Sequence, residues 1–417
     1  MIYILFLPLC FIPLFNKRPT HNKAPVLLHV TKITYLHTYA GSAVEGFAVQ
    51  NRDYCTKPRI IKDPTTASLK RGTGGRSSFN GIVCTMFGCS GFIGRSLGIR
   101  LGRIGTQLIL PHRCDPYHIR ELKVGGDLGQ VLYHPFHLMD EESIIRCIKY
   151  SNVVINLIGA NYETSNFSYK DVHVEGARRL ARLAKQCNVE RFIHLSCLNA
   201  SENPPPMVTK NGSAILQAKW EGEQAVKEEF PEATIVRPSV IYGDNLRKVN
   251  TLRYLPLWYK GERTEKQPVY ISDVISGIVS IVKNPDTAGK TYQFVGPKRY
   301  KLNKLVEWMC ELALKNGDGA KIELIDMRFH PYAWLKTTLM DYIQTVHPMS
   351  DMTWDMLEFH HVSDKIDHSL PTLEDLGVTP EQLEDRMPWV IVPYERFKYD
   401  VTELQQVTPL TVKTLGK

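Results

Sequence analysis

The chain has 417 residues and carries 51 Lys/Arg against 43 Asp/Glu, a net charge of +8. Residues 1–80 hold 11 of the basic and three of the acidic side chains, so the rest of the chain holds 40 of each and is neutral. That excludes a basic nucleic-acid-binding body, which needs surplus Lys/Arg on a folded surface, and no nucleic-acid partner is expected.

Residues 1–78 read as a basic leader. The first 15 (MIYILFLPLCFIPLF) are apolar, but they are short, contain Pro8 and Pro13, and lack the charged start of a secretory signal. A spanning helix needs about 18 or more uninterrupted apolar residues, and the chain has no such run. Residues 16–80 are basic, poor in acids and rich in Ser, Thr and Gly, which suits a mitochondrial targeting region. A basic tail without that role is the alternative.

The body alternates strand and helix. The apolar run 82–87 (IVCTMF) leads into Gly88-Cys89-Ser90-Gly91-Phe92-Ile93-Gly94. Ile93, Leu97, Leu101 and Ile104 then recur at helical spacing until Gly105. Strands are predicted at 107–110 and 130–133. Asp140, Glu141 and Glu142 open a helix with Ile144, Ile145 and Ile148 on its apolar face. VVINLI at 153–158 is a buried strand. One helix over 169–187 turns Ala177, Leu180, Leu183 and Ala184 inward. Strands at 191–195 and 234–237 flank a helix over about 214–230. This alternation predicts an α/β fold, a parallel sheet with helices on both faces. Right-handed crossovers make it a doubly wound Rossmann sheet. The expected domains are the Rossmann domain at 79–300 and a smaller α/β region with an extended tail at 301–417.

The glycines of GxxGxxG each have a steric reason. Gly88 permits the turn out of the strand, Gly91 lets a pyrophosphate approach the backbone, and Gly94 lets the helix pack on the sheet. The helix N-terminus then faces the phosphates. The position after strand, before helix, at the head of βα units, makes this a dinucleotide loop rather than a glycine-rich turn. The second strand ends LILPHRCD. Arg113 lies 19 residues after Gly94 and can pair with a ribose 2′-phosphate, so NADPH is favoured over NAD(H). The alternative leaves Arg113 in solvent and gives the ribose to Asp115.

GxxGxxG, NLIG at Asn156–Gly159, HLS at His194–Ser196, RPSVIYG at Arg237–Gly243, VYISDV at Val269–Val274 and GKTYQFVGP at Gly289–Pro297 occur in that order. Together they resemble the atypical and extended short-chain dehydrogenases. Within them, FGCSGFIGR, SNVVINLIGANYET, RFIHLSCLNA, FPEATIVRPSVIYG and SLPTLEDLGVTPEQLED resemble the nucleotide-binding accessory subunits of mitochondrial respiratory complex I. The likeness spans about residues 78–385. It implies cofactor contacts from Gly88, Ser90, Gly91, Phe92, Ile93 and Gly94. Further contacts are expected from Arg113, from Leu157, Ile158 and Gly159, and from Ser196, Lys219 and Pro238. It also implies attachment to other complex I subunits on the matrix side of the inner membrane, at the junction of the peripheral and membrane arms.

The parent family reduces carbonyls with a Tyr-x-x-x-Lys pair and a Ser: the Tyr donates a proton and the Lys lowers its pKa. Here Lys219 fits the lysine, but the tyrosine position is Ile215, which has no proton to give. Tyr242 and Tyr162 lack the helical relation to Lys219. Losing a general acid typically removes about 10²–10⁴ in rate. No catalytic residue is therefore assigned, and a non-catalytic accessory subunit that holds NADPH structurally and supports the complex is expected. An NADP-dependent reductase or epimerase with a relocated donor is the alternative. Cys197 and His194 are expected on opposite sides of the sheet rather than as a nucleophile–base pair.

After residue 297, Leu302, Leu305, Val306 and Met309 make an amphipathic helix, and 321–325 a strand. The aromatic-rich stretches 329–340 and 352–360 either cap the nucleotide domain or face other subunits or membrane lipid. Thr379 and Pro380 are predicted to start a short helix, TPEQLED. The nine cysteines are odd in number and never at CxxC spacing, so neither a disulfide scaffold nor a metal site is expected, and a reducing compartment fits.

Overall fold

The computed structural model describes residues 70–72, 74–243, 254–313, 323–344 and 353–391. The leader before residue 70 and the last part of the tail lie outside the described residues. β1 (Val83–Phe87), α1 (Phe92–Arg103), β2 (Gln107–His112), β3 (Val131–Pro135), α2 (Glu141–Ile148), β4 (Val153–Asn156), α3 (Gly176–Gln186), β5 (Arg191–Leu195), α4 (Ala214–Glu229) and β6 (Thr234–Pro238) follow one another. The short strands β7 (Ile241–Tyr242), β8 (Tyr254–Leu257), β9 (Glu265–Lys266) and β10 (Val269–Tyr270) precede α5 (Ile271–Lys283) and β11 (Thr291–Phe294). Seven strands pair in the order β11-β6-β5-β4-β1-β2-β3. Every pair is parallel, as the strand–helix alternation predicts. The order reverses between β1 and β4, which opens a crevice at their C-terminal ends.

The period-two alternation of the strands divides the core into two layers. Cys84, Met86, Leu108, Leu110, Ile155 and Ile193 pack on one face with α1 and α5. Phe87, Ile109, Val154 and Phe192 pack on the other with α2 and α3. Polar side chains set the helix starts: Asp140 accepts the Glu142 amide at α2, and Ser213 accepts the Leu216 amide at α4.

The rest of the chain adds β12 (Tyr300–Lys301), α6 (Leu302–Ala313), β13 (Glu323–Asp326), α7 (Pro331–Gln344), α8 (Trp354–His361) and α9 (Leu383–Ile391). β12 pairs with β9 and β13 with β8, so this region is joined to the segment after β6. α6 and α9 bury Leu305, Trp308, Met309, Leu383 and Met387 together with Tyr242 and Tyr300. Between α8 and α9 the chain returns to the sheet. Thr372 bridges Gln293 of β11 in parallel, and Leu373 enters the core beside α5.

Two local expectations need correction. The helix expected over 169–187 is not continuous α-helix: Asp171–Glu175 is π-helical and α3 begins at Gly176. Asp171 is held by the amide and hydroxyl of Ser168, both at 2.8 Å, while His173 reaches back to Ala160. The helix expected from Thr379 starts instead at Leu383. The Glu381 amide donates to Asp273 on α5 at 2.8 Å, which ties the segment before the helix to α5. Among the described residues, six cysteines are free thiols.

Candidate dinucleotide-binding site

The glycine loop closes the crevice floor. Gly88 has φ +85°, and a Cβ there would lie 2.9 Å from the carbonyl carbon and oxygen of Leu157. A Cβ on Gly94 would lie 2.3 Å from the Gly88 oxygen and 2.8 Å from Cys89 Cα. Neither position admits a side chain without moving backbone. The Gly91 amide donates to the Gly88 carbonyl at 3.1 Å. Gly91 is also the N-cap of α1, with no side-chain cap and no acid in the first turn. The first helix amides and the positive end of the dipole are thus left to an anionic ligand. Ser90 and Gly91 are exposed, while Phe92 and Ile93 are half-buried.

Arg113 follows β2 directly and is exposed, with its guanidinium 5.9 Å from the Phe167 ring centroid. Among the described residues, no carboxylate pairs with it. Asp115 accepts the Tyr117 amide at 2.9 Å and caps the 3-10 turn Pro116–Gly125. One oxygen of that carboxylate is therefore engaged by the chain's own backbone.

On the β4 side the strand stops at Asn156, two residues before the predicted end. Asn156 Oδ1 accepts the Ile158 amide at 3.0 Å, and its Nδ2 donates to His194 Nδ1 at 3.1 Å. The Leu157 amide still donates to Phe87 at 3.0 Å, so Leu157, Ile158 and Gly159 form the crevice wall facing Gly88. His173 donates through Nε2 to the Ala160 carbonyl at 3.0 Å. Burial pushes the His173 imidazole down to about 4 and His194 down to about 3. The Lys219 charge adds to both, which places that ammonium beside two neutral imidazoles.

Lys219 is half-buried on α4, and among the described residues no carboxylate pairs with it. Its position is fixed one turn on. Glu223 is fully buried and binds the Arg237 guanidinium of β6 through contacts of 2.6–3.2 Å. Ser196, just past β5, has a buried Oγ without a hydrogen-bond partner. Pro238 is buried at the end of β6, and its carbonyl accepts the Leu198 amide at 2.9 Å. The sequence-assigned residues thus gather around the ends of β1, β2, β4, β5 and β6. An orphaned hydroxyl, an unpaired ammonium and a glycine cradle fit a polar, phosphate-bearing ligand.

The proton-donor side is different. Ile215 is buried, packing with Tyr169 and Ala218 and with Met356 and Phe359 of α8. Tyr242 packs with the α6–α9 cluster: its ring lies against Tyr270 at 5.4 Å, and burial among acidic groups raises its phenol. Tyr169 is near Ile215, but its hydroxyl donates to the Asn161 carbonyl at 3.3 Å and burial raises its pKa. His194 and Cys197 sit in different surroundings, with Cys197 among Ala200, Leu216 and Val362.

The C-terminal segment is bonded across this region. Glu358 of α8 is fully buried and accepts the amides of Met207, Val208 and Thr209 at 2.5, 2.7 and 2.6 Å. Asp364 accepts from Asn199 at 3.0 Å, from the Gln267 amide at 2.9 Å and from Ser239 at 2.5 Å, and pairs with buried Lys266 at 3.4 Å. Sequence reading missed Asn156, His173, Glu358 and Asp364. The available signals were slight: an Asn ending an apolar strand, and acids inside aromatic or Pro-flanked segments. Among the described residues, no group of three or more His, Cys, Asp or Glu is placed to hold a metal.

A family described as NAD(P)H-binding matches residues 88–285. The chain is 40% identical over 349 residues to the mitochondrial NADH dehydrogenase [ubiquinone] 1 alpha subcomplex subunit 9 of Mus musculus, covering 82% of this chain and 88% of that one. It is 34% identical to the mitochondrial NADH-ubiquinone oxidoreductase 40 kDa subunit of Neurospora crassa, covering 78% and 84%. Among solved structures it resembles a nucleoside-diphosphate-sugar epimerase from Staphylococcus aureus, with a TM-score of 0.52 at 16% identity, covering 74% of this chain and 100% of that one. The last likeness concerns the fold alone.

Proposed function

The chain belongs to the family of the mitochondrial complex I alpha-subcomplex subunit 9, and on that premise we propose that it is a non-catalytic accessory subunit of the complex that holds NADPH as a structural cofactor. The observation that carries this reading is Ile215. It stands one helical turn before Lys219, where the parent family has its proton donor, and it is sealed by α8. Gly88, Gly91 and Gly94 would hold the pyrophosphate, Arg113 a 2′-phosphate, and Ser196 and Lys219 the nicotinamide half. The engagement of Asp115 with the Tyr117 amide supports NADPH over NADH. When bound, a nicotinamide dinucleotide can supply hydride chemistry. This chain's residues bind and orient it without offering a proton to a substrate oxygen. A ligand present at a thousand times its Kd stabilises the folded chain by about 4 kcal/mol, which makes such a cofactor a support for assembly and stability of the complex.

The basic leader would direct the chain to the matrix side of the inner membrane, where it attaches peripherally. Among the described residues, no helix is long and apolar enough to cross a membrane. α7 offers a docking face: Tyr332, Trp334, Leu335, Leu339 and Tyr342 are all more than half exposed, and Phe329 stands beside them. Exposed aromatic clusters of this kind mark contact with subunits or lipid, here at the junction of the peripheral and membrane arms. The test is a native-gel separation of mitochondrial membranes, identifying the position of this protein and its bound nucleotide together. Co-migration with the respiratory complex, with NADPH retained, is expected. A free monomer, or one that oxidises NADPH with a carbonyl substrate, would refute the reading.

A further inference from the structure

Three successive backbone amides converge on one side chain before the start of α4. Glu358 Oε1 accepts the Met207 amide at 2.5 Å, and its Oε2 accepts the Val208 and Thr209 amides at 2.7 and 2.6 Å. The Thr209 hydroxyl lies 3.3 Å from the same Oε2. Glu358 is fully buried. The buried ion pairs lie elsewhere, Arg237 with Glu223 and Lys266 with Asp364, so backbone N–H groups rather than a cation hold this carboxylate. Successive N–H groups aimed at one point make an anion-binding concavity. Here both oxygens of a planar group are engaged, which a single-centred halide cannot reproduce.

The loop that carries the amides is shaped by its own sequence. Pro204, Pro205 and Pro206 precede them, each with its φ restricted by the ring. Gly212 closes the loop at φ +72°, where a Cβ would lie 2.6 Å from the Pro204 oxygen. The Thr209 hydroxyl also lies 3.2 Å from the Gly212 carbonyl. Ser213 caps α4 separately, so the three amides are not that helix's own end. We propose that residues 207–209 form a carboxylate-binding site that Glu358 fills as an internal ligand. Around the acid, α8 adds apolar contacts: Met356 and Phe359 pack on Ile215, and Val362 packs with Cys197 and Leu216. While α8 is docked, the site is closed to any other acid. An external monocarboxylate enters where the Glu358 carboxylate is withdrawn.

Glu358→Ala removes the heavy atoms of one acetate ion, so acetate is the probe. The full-length variant is scanned thermally in rising sodium acetate, against sodium chloride at the same ionic strength and pH, with hydrogen exchange followed at residues 207–209. The expected result is a saturable rise in the midpoint, about 3–5 °C once acetate exceeds its Kd by about ten- to fiftyfold, with slowed exchange at those amides. Inorganic phosphate, tetrahedral rather than planar, should give a smaller rise; one as large as acetate's would overturn the assignment to a carboxylate. The parent and Glu358→Gln keep the site filled and should respond to acetate no more than to chloride. If Glu358→Ala does not fold, its refolding yield in acetate against chloride reads the same site: a restored yield supports the inference and an unchanged one overturns it. A midpoint that acetate leaves where chloride does, an equal rise in the parent, or protection that bypasses residues 207–209 also overturns it. These outcomes leave the dinucleotide reading untouched, since that reading is decided by NADPH binding to the parent.

Discussion

Glu358→Ala tests how firmly the C-terminal segment is bound to the nucleotide domain. The carboxylate is fully buried and accepts three backbone amides within 2.5–2.7 Å, with the Thr209 hydroxyl at 3.3 Å. Truncation leaves three amides of residues 207–209 without acceptors and opens space in the side of α8 facing α4. A buried donor stripped of its partner costs about 1–3 kcal/mol, and hydrogen bonds to charged acceptors lie at the upper end. Water entering the gap re-solvates part of the loop, so the whole change should cost about 3–5 kcal/mol rather than the sum of three full penalties. At about 2 °C per kcal/mol for a chain of this size, the midpoint should fall by about 6–10 °C. Urea unfolding and thermal scans of the folded chain measure this. Glu358→Gln should fall between parent and alanine, because its amide oxygen still accepts but the charge is gone. An alanine variant within about 1 kcal/mol of the parent would refute the idea that this carboxylate holds α8 over residues 207–209.

Three further outcomes are expected. Gly94→Ala puts a methyl 2.3 Å from the Gly88 oxygen, so the loop must shift, and calorimetric binding of NADPH should weaken by about a hundredfold or more; unchanged affinity would remove the phosphate role of the loop. Arg113→Ala should weaken NADPH by about tenfold while leaving NADH nearly unaffected, in competitive titrations of the two cofactors; equal losses would return the ribose to another residue. His173 and His194 are held below the ordinary imidazole range, so the unfolded chain takes up protons first as pH drops. Their contribution to stability is complete above about pH 6.5 and should shrink by about 2 kcal/mol each between pH 7 and pH 5. His360 and His361, also depressed by burial, add to that slope. Urea midpoints that stay flat across this window would refute the assignment of neutral buried imidazoles.

What was legible in the sequence depended on distance along the chain. The glycine loop, the strand alternation and the Asp140 cap are set by near neighbours, and each fell within a residue or two of its predicted place. The start of α9 was misread where the segment before it is tied to Asp273, 108 residues away from Glu381. The clamp of Glu358 on Met207 spans 151 residues, and no local pattern announces it. Lys219 was assigned from the resemblance to the family's Tyr-x-x-x-Lys pair, and Ile215 from its place four residues before it. The neighbours of Lys219, His173 and His194, were not read as a pair, because one comes from a π-helical turn and the other from a strand.

The two halves of the candidate site have changed in different ways, and the energetics say why. On the cofactor side, a half-buried ammonium at Lys219 is kept beside two imidazoles that burial holds neutral, and no described carboxylate balances it. A polar ligand in the crevice would give that ammonium acceptors. Lysine has no packing advantage there over an apolar residue of similar length. On the other side, the position four residues before Lys219 is Ile215, packed with Tyr169, Met356 and Phe359. Burying Ile215 in that cluster is favourable by about 1.5–3 kcal/mol, whereas a tyrosine hydroxyl there would need a partner among apolar side chains. Stability therefore favours the apolar residue at this position, and the tie from Glu358 adds to it only while α8 stays in place. Under the proposed accessory role, that pairing of costs would keep a cofactor site while leaving no proton donor beside it.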